Sequence, residues 1–262
     1  MQKLSERQRE IISVARAQGQ VNVDDLAAQF EVTPQTIRKD LNDICASGLM
    51  RRTHGGAVVV ASMENLEYDA RRLLAQEEKR HIGIAAAALI PNNCSVFIGI
   101  GTTTEEVARN LLNKKNILVV TNNINVANML RSGSEVDVII AGGIVRRTDG
   151  GVVGDAAVDF LTQFKFDFAI VGTSAIDEDG SLLDYDLREV KVAQAILNNA
   201  RHVILVSDTL KLDRNAPIRI AHLTQIQTFV TDTLRSNALR NLCRSEGVTL
   251  VETMATASQK SS

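Results

Sequence analysis

Gln35, Arg38, Lys39 and Asn42 recur at i, i+3, i+4 and i+7, a spacing that gathers them on one face of a helix. Gln, Arg and Asn can read base edges bidentately, and Lys and Arg can neutralise phosphate. The opposite face is apolar: Ile37, Leu41, Ile44 and Cys45 recur at i, i+4, i+7 and i+8. Thr33 stands where an N-cap belongs, and Pro34 follows at the first helical position, where a missing N–H costs nothing. Thr36, beside Gln35 in the first turn, adds a hydroxyl for a base or the first phosphate. Upstream, Val23, Leu26, Ala27 and Phe30 form an apolar stripe, and Glu31 and Val32 fill the turn between the two helices. The stretch 21–40 therefore predicts a helix-turn-helix with a DNA-reading second helix.

An ordinary pair of amphipathic helices with a basic solvated face would show the same spacing, so the flanks decide. Before the motif, Leu4, Ile11, Ile12 and Ala15 form a further helical stripe, with Gly19 as its stop. After it, two short β-prone runs flank Gly55-Gly56, with Arg51, Arg52 and His54 near the tip. Three helices followed by a basic hairpin make a winged helix, whose wing supplies phosphate contacts. Thr33, Gln35, Thr36, Arg38, Lys39, Asn42, Arg51, Arg52 and His54 are the candidate DNA contacts.

Charge supports this reading by placement rather than by amount. The chain of 262 residues carries a net charge of −2, with 45% hydrophobic and 23% charged residues. Such a composition suits one large globular domain or two smaller ones. A modest charge at the reading helix predicts affinity that leans on dimerisation. Cys45, Cys94 and Cys243 are far apart and make no metal or disulfide pattern, so they read as small buried thiols. No signal peptide or apolar span of about 20 residues is visible, which places the chain in the cytoplasm, off the membrane. Nine aromatics and no Trp argue against single-strand binding by stacking.

Beyond residue 60 the pattern changes. Residues 61–76 are polar and read as a partly helical linker, 77–254 as an effector domain, and 255–262 as a disordered tail. A helix at 77–90, stopped by Pro91, opens the effector domain. Continuous apolar runs at 95–100, 117–121, 136–141, 166–172, 202–207, 228–231 and 248–251 read as strands buried on both faces. Helical segments at 104–112, 126–131, 156–164, 188–200 and 236–246 alternate with them. That order predicts an α/β domain with a Rossmann-like, mostly parallel sheet covered on both faces.

In such sheets ligands bind beyond the C-terminal strand ends. Here those ends carry polar, Gly-rich loops: Gly101, Thr102, Thr103 and Thr104; Thr121, Asn122 and Asn123; Gly142 and Gly143, followed by Arg146 and Arg147; Gly172; and Asp208 with Lys211. Glycine admits an anion close to the backbone, N–H groups point at it, and hydroxyls add donors. The predicted ligand is a small phosphorylated sugar or polyol, with Lys211 as its cation. Glycine and small hydroxyls also serve βα turns for packing alone. An enzymatic alternative rests on Asp184, Asp186, Glu189 and Lys191, since paired carboxylates can move a proton next to a carbonyl. Against it, Asp177 to Gly180 reads as a turn, an early Glu189 suits a helix start, and no metal spacing or Ser-His-Asp order is found. No catalytic residue, metal or cofactor is predicted.

The stretch from Ser5 to Val58 resembles the DeoR-type winged helix in Thr33, Thr36-Ile37-Arg38-Lys39-Asp40-Leu41 and Arg52-Thr53-His54-Gly55-Gly56-Ala57. Gly101-Thr102-Thr103, Thr121-Asn122-Asn123, Ala141-Gly142-Gly143 and Arg188-Glu189-Val190-Lys191 resemble that family's effector domain. The resemblance implies a domain similar to ribose-5-phosphate isomerase and glucosamine-6-phosphate deaminase folds. It also implies a homo-oligomeric repressor, a dimer or tetramer, that binds double-stranded operator DNA of a carbon-utilisation operon. Release would come from a phosphorylated sugar or polyol, with glycerol 3-phosphate first among the candidates. A sugar-phosphate isomerase with an added helical domain is the competing class, and it has no use for a basic reading helix and wing.

Overall fold

The computed structural model of the chain describes residues 4–18, 20–59, 68–212 and 214–254. The stop expected at Gly19, residues 61–67 of the linker and the tail at 255–262 lie outside them. The chain divides into two compact units, Met1–Leu74 and Ala75–Ser262.

The first unit contains α1 (Glu6–Gln18), β1 (Gln20–Asn22), α2 (Val23–Gln29), α3 (Pro34–Ala46), β2 (Met50–Thr53), β3 (Gly56–Val59) and α4 (Tyr68–Leu73). The stripes read from the sequence form its core, with Ile11, Ala15, Ile37, Leu41 and Ile44 wholly buried. Cys45, expected inside, is only half-buried. β2 and β3 pair antiparallel as the wing, and β1 joins as a third strand through Val21↔Ala57. Three residues between two helices carry no readable period, so β1 escaped the sequence reading. Its pairing explains Gly56: a Cβ there would lie 1.9 Å from the Val21 carbonyl oxygen. Leu73 and Leu74, within the expected linker, pack on this unit's core.

The second unit begins with α5 (Gln76–Ala88), β4 (Ser95–Ile98), α6 (Thr102–Arg109), β5 (Ile117–Thr121), α7 (Ile124–Leu130) and β6 (Val136–Ile140). A hairpin of β7 (Ile144–Val145) and β8 (Val152–Val153) leads into α8 (Asp155–Leu161) and β9 (Phe166–Val171). Then follow β10 (Ala175–Ile176), β11 (Ser181–Asp184), α9 (Leu187–Asn199), β12 (Ala200–Val206) and β13 (Ile218–His222). The last elements are β14 (Thr228–Thr231), α10 (Asn237–Ser245) and β15 (Thr249–Glu252).

The seven strands expected from the sequence form one sheet in the order β15-β14-β12-β9-β4-β5-β6, and all its pairings are parallel. Side chains alternate between two apolar layers. Phe97 packs with Phe166 and Phe229 on one face, and Val96 and Ile98 pack with Ile82 and Val107 on the other. Burial on both faces is why these strands read as unbroken apolar runs. The antiparallel pieces, β7–β8 and β10–β11–β13, were not foreseen: β7, β8 and β10 are two residues each, and β11 and β13, of four and five residues, pair across a long stretch of chain.

From β4 the chain builds outward through β5 to β6, then returns to add β9, β12, β14 and β15 on the other side. The direction of winding reverses between β4 and β9. Their C-terminal ends lie at the sheet's switch point, the position at which open α/β sheets generally take ligands.

Candidate functional sites: a DNA-reading helix and a switch-point crevice

α3 starts as its residues dictate. Thr33 Oγ1 accepts a hydrogen bond from the Thr36 N–H at 3.3 Å and lies 2.9 Å from Thr36 Oγ1. The preceding turn is tight enough to hold Glu31 at φ +52°. Packing of Ile37, Leu41 and Ile44 turns Gln35, Arg38, Lys39 and Asn42 to the exposed side together. Arg51, Arg52 and His54 are exposed on the wing, and Arg52 Nη1 donates to the Gly56 carbonyl at 3.3 Å. The sequence reading passed over Asp40, which is buried against α1 and bonded to Arg7 and Gln8.

In the second unit the loop after β4 meets the loop after β9 at the switch point. Gly99 N–H donates to the Ile170 carbonyl at 3.0 Å, and a Cβ on Gly172 would lie 3.6 Å from the Ile100 carbonyl oxygen. Gly101, at φ +147°, adopts a backbone open to glycine and turns the chain directly into α6. The helices α3, α7 and α9 have side-chain caps from Thr33, Asn123 and Asp186. α6 has no side-chain cap at Gly101, as α8 has none at Gly154, so its first N–H groups are free of a capping side chain. Thr102 is half-buried and Thr103 buried in that first turn.

Other predicted ligand groups are engaged in hydrogen bonds within the unit. Thr104 is wholly buried, and its hydroxyl, 2.8 Å from both the Gly99 and the Gly101 carbonyl oxygens, shares its one proton between them and shapes the loop from behind. Thr121 donates to the Ile98 carbonyl at 2.6 Å. Asn123 caps α7 through Oδ1 and donates from Nδ2 to Glu105. Asn122 differs: its Nδ2 donates to the Val152 carbonyl, while its buried Oδ1 has no hydrogen-bond partner among the described residues. Gly142 and Gly143 are exposed before β7, and Lys211 is half-buried in a 3-10 turn capped by Asp208.

Three features were missed. Lys79 is buried with its Nζ 3.9 Å from Asp208 Oδ2. Its position was readable, because Lys79 shares the inward stripe of α5 with Ile82, Gly83 and Ala86. Glu105, 2% exposed, accepts from Asn123 and Asn125 and ties α6 to α7. Arg146 joins the hairpin loop to α9, bonding Asp149 through Nε at 2.8 Å and Nη2 at 2.7 Å, Asp186 at 3.2 Å and Glu189 at 2.5 Å.

These bonds account for the acidic cluster weighed earlier as proton-transfer groups. Asp184 Oδ2 accepts from Ser174, and its Oδ1 from the Tyr185 N–H. The Arg188 side chain, then its N–H and Arg146, hold the Asp186 carboxyl down at about 2. Burial, then the charge of Asp184, push Glu189 up to about 7 against the pull of Arg146. Burial works against the Arg146 charge, but Asp149 and Glu189 outweigh it and hold its proton more tightly than usual. The cluster is a brace between two loops.

A winged helix with Gln35, Arg38, Lys39 and Asn42 exposed on one face, followed by a parallel α/β unit, has the architecture of a DNA-binding regulator with a second, sensor-type domain. Two family models cover the chain: a DeoR-like helix-turn-helix domain over residues 7–63 and the DeoR C-terminal sensor domain over residues 74–233. The chain belongs to the DeoR family of transcriptional repressors. It is 44% identical to the glycerol-3-phosphate regulon repressor of Escherichia coli (strain K12), covering 88% of this chain and 91% of that one. The Haemophilus influenzae protein of the same description is 44% identical, over 87% of this chain and 89% of its own. Among solved structures, the ribose 5-phosphate isomerase of Methanocaldococcus jannaschii matches with a TM-score of 0.39 and 16% identity, over 53% of this chain and 55% of that one.

Proposed function

We propose that this chain represses a glycerol-utilisation operon, reads its operator through Gln35, Thr36, Arg38, Lys39 and Asn42, and lets go on binding glycerol 3-phosphate. The wing residues Arg51, Arg52 and His54 hold the phosphate backbone and fix register. The observation that supports the sensor assignment is the start of α6 at the switch point, which follows Gly101 with no side-chain cap and carries Thr102 in its first turn. An anion there gains both donors and the helix dipole. The 44% identity to glycerol-3-phosphate regulon repressors supports the particular ligand. Asn122 Oδ1 is an acceptor suited to a ligand hydroxyl, which a phosphate oxygen cannot supply. Lys211, half-buried in the turn that Asp208 caps, is the candidate cation, while the buried Lys79 faces Asp208.

No catalysis is needed for this role. One α3 reads only a few base pairs, so a homodimer or tetramer presents the symmetric pair a specific site requires. Among the described residues no helix is long and apolar enough to cross a membrane, and a repressor works in the cytoplasm beside its DNA.

Calorimetry tests the ligand. Glycerol 3-phosphate is expected to bind and glycerol to bind at least roughly tenfold more weakly, because charge-assisted hydrogen bonds hold the phosphate. Thr102→Ala and Lys211→Ala should each weaken the phosphate ester. Equal binding of glycerol, or binding only of another sugar phosphate, would overturn the assignment of the ligand.

A further inference from the structure

Asp40 is an unexpected residue for a helix that faces DNA. It follows Lys39 directly, yet its side chain is only 8% exposed. Helical spacing places it on the inward stripe with Ile37, Leu41 and Ile44, all wholly buried. A carboxylate there loses hydration and adds a negative charge close to the phosphate-facing surface, so it must return something.

Its partners lie on α1. Arg7 Nε donates to Oδ2 at 2.6 Å, and Gln8 Nε2 donates to Oδ1 at 3.1 Å, so each carboxylate oxygen has its own donor. Gln8 Nε2 also lies 3.3 Å from Asp43 Oδ2, a second contact with α3. Gln8 is itself held: Ser5 N–H donates to its Oε1 at 3.0 Å, and its own N–H donates to Ser5 Oγ at 3.2 Å. This reciprocal cap fixes the first turn of α1. Apolar stripes set how deeply α3 seats, but packing of similar volume tolerates small slides and rotations. Directed, charge-assisted bonds to both oxygens of one carboxylate tolerate them far less.

We propose that Arg7, Gln8 and Asp40 form a clamp that sets the rotation and register of α3 for base reading. Asp40 is a positioning residue, acting through Gln35, Arg38 and Asn42. The clamp rests on α3 being the reading helix, which Arg38→Ala tests separately. Removing Asp40 has two consequences of opposite sign. Loss of its charge favours every duplex through phosphate attraction. Loss of the clamp weakens only the complex whose base contacts need alignment.

The test compares full-length wild type, Asp40→Asn and Arg7→Gln by fluorescence anisotropy on two duplexes. One is selected from random DNA by the wild-type protein, and the other is its scrambled counterpart. For Asp40→Asn the affinity for the selected duplex is expected to fall about tenfold or more, while the scrambled duplex binds equally or more tightly. Arg7, with a side chain 36% exposed, can be changed without burying a new group. Arg7→Gln leaves the Asp40 carboxylate with Gln8 as donor, so it should melt somewhat below wild type yet stay folded, lower the selectivity ratio, and leave the salt slope unchanged. If Asp40→Asn does not fold, Arg7→Gln decides alone. A preserved ratio in a folded variant overturns the clamp. So does a salt slope reduced by about one in Arg7→Gln, which would make Arg7 a direct phosphate contact.

Discussion

Arg146→Met is expected to destabilise the sensor unit by about 3 kcal/mol, because removing one partner of a largely buried ion cluster strands the others. The methionine keeps most of the side-chain volume, so the effect reports charge more than packing. Arg146 is 16% exposed and faces Asp149, Asp186 and Glu189, of which Asp149 is 2% exposed. Without the guanidinium, these carboxylates and Asp184 repel one another at the foot of α9. The strain eases when Glu189 takes a proton, since its carboxyl already titrates at about 7 under burial and the Asp184 charge. The sign follows from linkage: a carboxyl with a raised folded pKa contributes stability below its unfolded pKa and loses it as pH rises through the folded value. The defect should therefore be larger at pH 8 than at pH 5. Urea unfolding followed by circular dichroism measures it. A loss below about 1 kcal/mol at pH 8 would show that the cluster is solvated and does not brace the hairpin against α9.

Arg38→Ala is expected to lower operator affinity by about 1–3 kcal/mol and to relax preference at one base position, the signature of a bidentate contact to guanine. Arg38 is exposed in the middle of the reading face, so the folded domain loses no core contact. Arg51→Ala should instead weaken all duplexes about equally and flatten the salt dependence. Titration of selected and scrambled duplexes at several salt concentrations separates the two behaviours. Unchanged affinity and preference in Arg38→Ala would place the reading face elsewhere.

The fold was legible where one period governed a long segment. α3 begins at Pro34 behind its Thr33 cap because both residues leave no other start, and β5 and β14 have the bounds their apolar runs imply. β7, β8 and β10 are two residues each, and their pairing depends on long-range contacts that no local period encodes. The rule for strand ends points to the loops after β4 and β9, but the role of single residues there was not readable. Thr102 and Thr104 differ by two positions in a run of like residues, yet Thr102 is half-buried while Thr104 is wholly buried and bonded back to the Gly99 carbonyl. Asp40 and Lys79 carried a usable signal, since each is a charged residue at an inward position of an amphipathic stripe. Such a residue must have a partner from another element, and the sequence alone does not say which. Arg146 had no signal, because its three acidic partners come from two separate segments.

Coupling between the two units is the central claim, and one titration reaches it most directly. A fluorescent duplex selected by the wild-type protein is held in complex while glycerol 3-phosphate or glycerol is added. A ligand can release DNA only through its preference for the unbound state, so a coupling of roughly 1–3 kcal/mol sets the expected loss of affinity at about five- to 150-fold. Glycerol 3-phosphate should lower the anisotropy over that range, glycerol should not, and Thr102→Ala should shift the release to higher ligand concentration. Anisotropy that stays constant through saturating glycerol 3-phosphate would contradict a repressor released by this ligand.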